Sequence, residues 1–279
     1  MIGTIPASLI DHAAFALYRE RVDELLRHVG LMASNPSLRS GRTVDKVSVR
    51  PEPSAKGLIS AADSRIPRFI PPPARTLSAI DFERRAVEQN ELIVRPNSLH
   101  DLMNALVWLT FPKTKRAISE AHVSLGVNHD GKTRPRRRDV LTVFDESGMI
   151  VLSTRDDLRE LNRTHQWREL FVTHRAAFRA EALPILFGHG AMEQLGNQLP
   201  LVHHGLTAKA LWLPLAVNTS LCELDQYLST RIVNGERLHE QEHTIPMPLL
   251  GLPGWFAENE SSDCYNDESV FRPMRSRSA

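Results

Sequence analysis

Long apolar runs are missing from this chain. The longest, such as ALVWL at 105–109, fall far short of the roughly 20 residues that a membrane-crossing helix needs. Cysteine is scarce: Cys222 and Cys264 are the only two among 279 residues, and they lie too far apart for a paired zinc or thiol-redox motif. That usage fits a reducing compartment. Neither sign of charge dominates. Lys plus Arg number 34 against 33 Asp plus Glu, so no general field draws a polyanion, and any nucleic-acid site has to be a local patch. Aromatics make up 6%, few for a surface that stacks unpaired bases. A phosphate-cradling glycine loop, a nucleophile elbow and a CxxC pair are all absent, which argues against nucleoside triphosphatases, serine-class hydrolases and thiol oxidoreductases. The opening MIGTIPASLIDHAAF lacks a basic lead before a long apolar stretch, so no secretory signal is expected; the expected setting is cytoplasmic, with no membrane partner. No internal repeat stands out at solenoid or propeller periods.

What is present is material for a core, since 42% of the residues are hydrophobic. The clearest element is RPNSLHDLMNALVWLTFPKTK, 95–115. Asn97 or Ser98 can cap a helix, and Ser98 with Asp101 resembles a capping box. Leu99, Leu102, Met103, Leu106, Val107 and Thr110 form one apolar stripe, while His100, Asp101, Asn104 and Trp108 share a flank. Pro112 stops or kinks the helix, and 117–123 continues helically beyond it. Earlier, Asp11 can cap a helix from about 12 to 29 that ends at Gly30. A Ser-, Arg- and Pro-rich lead follows to Arg75, then a short helix over 77–89.

Beyond the central helix, the loop NHDGKTRPRRR carries the only basic run of note, Arg134 and Arg136 to Arg138. Such guanidinium forks can hold a phosphate or carboxylate, or lie in solvent. Val140–Phe144 and Met149–Ser153 are rich in branched residues around Asp145-Glu146-Ser147-Gly148, which predicts a β-hairpin whose paired acids could be catalytic but are also what the turn demands, the preferred reading. Helices are expected over 156–161 and 166–183, with Pro184 kinking the second or opening another, and a strand over 207–213. Thr219 or Ser220 caps a helix closed by Asn234-Gly235, in which Asp225 has no evident partner. In PMPLLGLPGWFAENESSDCYNDESVFRP, Pro and Gly exclude regular elements while seven large apolar residues demand burial, so an irregular strap is expected. The segment LFGHGAMEQL flanks His189 with glycines that each cost a helix about 1 kcal/mol relative to alanine, which points to close backbone approach there. Glu193, four residues on, could orient that histidine.

The blocks RPNSLHDLMNALVWLTFPKTK, RRDVLTVFDESG, LFGHGAMEQL, PLLGLPGW and VFRP resemble the bacterial family known as domain of unknown function 3025, from about Phe82 to Arg275. This chain has Gly190 where the resemblance leads one to expect Ala, and Asn266 where an acid is usual. The resemblance implies locations only: no activity, cofactor or partner comes with it.

The expected architecture is a mainly helical α+β single domain with a small antiparallel sheet, running 76–275, preceded by the helix and lead of 1–75 and followed by a tail at 276–279. The expected function is an enzyme, hydrolase or transferase, acting on a small anionic or modified polar substrate. His100 or His189 is the base, Asp101 or Asp139 orients or ligates, Asn104 shares the pocket, and Arg138 and Arg272 bind an anionic group. A divalent metal on His100, Asp101 and His189 is the cofactor to test. Two other readings stay open: a binding protein whose Arg134–Arg138 loop touches nucleic acid or an acidic partner, and a scaffold whose polar groups only bond one another.

Overall fold

The computed structural model describes residues 5, 7–28, 65–74, 77–95, 97–127, 136–199, 205–236 and 244–274. In chain order its elements are α1 (Ala7–Asp11), α2 (Arg19–His28), β1 (Arg68–Ile70), α3 (Ala79–Glu88), β2 (Glu91–Ile93), α4 (Leu99–Thr110), α5 (Pro112–Val127), α6 (Arg136–Ser147) and β3 (Gly148–Leu152). They continue with α7 (Asp156–Arg163), α8 (Arg175–Glu181), β4 (Leu183–Leu186), α9 (His189–Gln198), β5 (Thr207–Leu213), α10 (Leu221–Val233) and β6 (Thr244–Pro248). This is a mainly helical α+β chain. Its packing defines two compact units interleaved in sequence: the described residues of 1–11, 15–138 and 218–236, and those of 12–14, 139–217 and 237–279.

In the first unit α5 packs on both α3 and α10, and α4 packs on α2. Ser78 and Ser220 close full capping boxes on α3 and α10, and Gly235 takes a left-handed φ of 70° just past α10. The stripe on α4 is buried from Leu102 onward as its spacing predicts, yet Ala105, Trp108 and Leu109 are buried too, so beyond its first turn most of the circumference of the helix is core. Pro112 opens α5 at a first-turn position, where its missing N–H costs no hydrogen bond. With no side chain of its own to cap that start, α5 draws on α10: Asp225 accepts from the amides of Lys113 at 3.0 Å and Thr114 at 2.8 Å. Asp225, without a visible partner in the sequence, is therefore a helix cap supplied over a hundred residues away. Two expectations fail here. The single helix over 12–29 is broken by a 3-10 turn at Ala13–Tyr18, and the lead contains β1, paired in parallel with β2.

The second unit is built on a sheet in the order β4-β3-β5-β6. Its inner pair, β3 and β5, is parallel, and both outer pairs are antiparallel, so the sheet is mixed rather than the antiparallel one expected. The predicted hairpin does not form. Val140–Phe144 is helical, because Leu141 and Phe144, three apart, bury one face of α6, and the strand begins only at Gly148. Leu183–Leu186 is strand rather than helix, and β6 regularises the front of the strap. Pro184, Pro246 and Pro248 are tolerated because β4 and β6 are the sheet's edges. The rest of the strap, expected to be irregular, carries short 3-10 turns at Leu249–Gly251, Ala257–Glu260 and Ser262–Asn266 and is held by Arg175: its guanidinium donates to the Asn259 carbonyl at 3.0 Å, while Asn259 Nδ2 donates to the carbonyls of Leu250 and Leu252. Among the described residues no helix is long and apolar enough to cross a membrane.

Candidate functional site

Antiparallel pairing of β3 with β4 sets Met149 opposite Leu186. Whatever precedes β3 must then lie beside whatever follows β4, so the topology brings Asp145-Glu146-Ser147 against Phe187-Gly188-His189-Gly190. The approach is close. The amides of Phe187 and Gly188 both donate to the Gly148 carbonyl, at 3.0 and 2.8 Å, and the Phe144 and Phe187 rings stack with centroids 4.7 Å apart. A Cβ on Gly188 would stand 2.5 Å from the backbone nitrogens of Ser147 and Gly148, and one on Gly190 would stand 2.4 Å from Glu146 Oε2. Gly188 has an ordinary φ of −65°, so space rather than backbone freedom is what requires glycine there.

His189 is the first residue of α9 and is only 4% exposed. Its two ring nitrogens face different carboxylates: Nδ1 lies 3.7 Å from Asp145 Oδ2, and Nε2 lies 3.5 Å from Glu146 Oε1. These are Coulombic rather than short hydrogen-bonding distances. The carboxylates differ in access, Asp145 being 14% exposed at its side chain and Glu146 45%. Asp145 is thus placed to orient the ring from within, and Glu146 marks the side that solvent reaches. The carbonyl end of α6 and the amide end of α9 contribute potentials of opposite sign around the imidazole.

Of the residues expected at a site, those in the second unit are Asp139, His189 and Arg272, and among the described residues of that unit His189 is the one that lies in this cluster. Asp139, exposed in the first turn of α6, lies about 9 Å along the helix axis from Asp145 at 1.5 Å per residue. Arg272 belongs to the strap: its carbonyl accepts from Trp167 Nε1 at 2.8 Å, and its guanidinium reaches Ser269 O at 3.4 Å. His100, Asp101, Asn104 and Arg138 belong to the first unit. His100 is half-buried on α4, and Asn104 Oδ1 is buried without a hydrogen-bond partner among the described residues. Asp101 does not complete the capping box. One oxygen takes the Arg95 amide at 2.9 Å and Arg95 Nε at 2.7 Å, and the other takes the second guanidinium nitrogen at 2.9 Å. Burial alone would raise this carboxyl, but Arg95 and Ser98 outweigh it and hold the group below the usual carboxylate range. Arg95 thus engages both oxygens of Asp101.

Arg134 lies outside the described residues, Arg136 opens α6, and Arg137 donates to the Ile232 carbonyl at 2.8 Å, capping the end of α10. Arg138 lies beside Gly126 of α5. In the sequence Asp145 and Glu146 read as turn residues in preference to catalytic acids. The signal that points to them is the pair of glycines around His189, which demands a backbone neighbour, and DESG is the segment that supplies it.

The family model described as a protein of unknown function, DUF3025, matches residues 67–275. The chain belongs to the DUF3025 family. Both segments of the cluster lie inside the matched DUF3025 region. No curated protein and no solved structure matches the chain.

Proposed function

We propose that the protein is an enzyme acting on a small polar substrate, with His189 as its reaction centre, Asp145 as the orienting carboxylate and Glu146 as the solvent-facing one. The observation that carries this is a buried imidazole between two carboxylates, reached by a chain that has glycine on both sides of the histidine. With Asp145 against Nδ1, the tautomer protonated there leaves a lone pair on Nε2, able to take a proton or hold a cation. A hydrolase or transferase uses such a group. Two carboxylates repel an anion, and the Arg272 guanidinium bonds to the Ser269 carbonyl, so a neutral, modified polar substrate fits better than an anionic one. The cytoplasmic setting expected from the sparse cysteines suits this reading.

A thermal-shift screen of polar metabolites on the full chain, wild type beside His189→Asn, tests it. Compounds that raise the wild-type melting temperature and leave His189→Asn unmoved are the expected result. Hits that shift both proteins equally would remove His189 from the site.

A further inference from the structure

We propose that Nε2 of His189 and the carboxylate of Glu146 bind a divalent transition-metal ion, zinc foremost, with Asp145 holding the imidazole from its other edge. This rests on the reading of the cluster as a reaction centre and names the ion through which that centre works.

Distance is the first argument. Two ligand atoms each about 2.1 Å from a tetrahedral zinc ion stand about 3.4 Å apart. His189 Nε2 and Glu146 Oε1 are 3.5 Å apart, too far for a good hydrogen bond and suited to a shared ion. The second argument is the opposite edge of the ring. A metal-bound histidine commonly turns its remaining N–H toward a carboxylate, which fixes the ring and raises its basicity. Asp145 stands there, on Nδ1 and at 14% exposure, while the proposed ligand Glu146 is three times as open.

Charge is the third argument. One imidazole between two carboxylates leaves negative charge that a cation neutralises. The fourth is steric: the absence of a side chain at Gly190 is what lets Glu146 close on the ring, since a Cβ there would fall 2.4 Å from its Oε2. A mixed imidazole and carboxylate donor set favours zinc and its transition-metal neighbours over calcium or magnesium. Two protein ligands leave coordination positions for water and substrate, one protein ligand fewer than the three that catalytic zinc sites commonly carry.

The experiment is titration of chelator-stripped full-length protein with zinc chloride, read by calorimetry, for wild type, Glu146→Gln, His189→Asn and Asp145→Asn. Glu146→Gln keeps the volume of a half-exposed side chain, and an unchanged metal-free melting temperature verifies its fold. Wild type is expected to bind one zinc equivalent that both Glu146→Gln and His189→Asn lose. Asp145→Asn is expected to keep that equivalent with affinity about 10- to 100-fold weaker. Calcium chloride in place of zinc is expected to give no such equivalent. Equal zinc binding by wild type, Glu146→Gln and His189→Asn, or none by any, overturns the proposal. In that event a metabolite response that still vanishes in His189→Asn leaves the reaction centre standing without its ion. Loss of the zinc equivalent in His189→Asn with the metabolite response intact keeps the ion and removes the enzyme reading.

Discussion

Asp225 and the pair Asp145 with Glu146 are carboxylates at helix ends, and they do different things. Asp225 in the first unit is fully buried, and both its oxygens take backbone N–H groups of α5. In the second unit Asp145 and Glu146 face a side chain, the imidazole of His189, at 3.7 and 3.5 Å. A carboxylate consumed by main-chain donors has its geometry dictated by the fold and can offer little to a ligand. Carboxylates that converge on an imidazole can trade a proton or a cation without unfolding anything. Asp101, bound by the Arg95 amide and guanidinium, falls with Asp225 on the architectural side.

Breaking the architectural member should have the largest effect. Asp225→Ala strands two helix-start amides and is expected to cost about 4 kcal/mol in urea unfolding, at one to a few kcal/mol per unsatisfied buried group. A loss under about 1 kcal/mol would mean that the amides find other acceptors.

The glycines rank next and sharpen the contrast within the second unit. Gly188→Ala drives a methyl into the backbone of Ser147 and Gly148, which cannot step aside, and should cost about 3 kcal/mol. Gly190→Ala meets mainly the end of the Glu146 side chain, which can swing, so about 1 kcal/mol is expected. Its larger consequence is displacement of Glu146 from His189. Equal costs for the two would show that Glu146 is held as firmly as backbone.

The smallest effect is a difference in sign with pH. Burial raises the Asp225 carboxyl above the ordinary range in spite of its hydrogen bonds, so its stabilising contribution is full below the unfolded value, about 4, and fades as pH rises through the raised folded value. The Asp101 carboxyl is held low, so its contribution is present above the unfolded value and lost as pH falls through the folded one. Urea midpoints between about pH 3 and 6 should show the wild-type advantage over Asp225→Asn shrinking with rising pH, and that over Asp101→Asn growing. Parallel trends would contradict the two assignments.

Elements whose signals are local were legible in the sequence. Ser98 and Ser220 announce α4 and α10, and Asn234-Gly235 closes the second, because caps depend on neighbours a few residues away. VLTVF misled because branched residues favour strands only where a sheet receives them, and β3 pairs with β5, about sixty residues on. Pro184 misled for the same reason, since an edge strand cannot be told from a helix start without knowing the strand order. In the site, His189 was legible through its glycines. Asp145 and Glu146 were not, because a β-turn and the last turn of a helix both welcome acids and small polar residues, and only the β3/β4 pairing decides what they face.

Whether the His189 cluster serves chemistry or architecture is most directly tested by the stability of Glu146→Gln. Groups placed for function are seldom placed for stability, and here two like charges flank one ring. In urea, with the metal removed, Glu146→Gln should be as stable as wild type to within about 0.5 kcal/mol, or more stable, while losing its zinc equivalent and its metabolite response. A loss above about 1.5 kcal/mol with both responses intact would make the cluster one more piece of scaffolding.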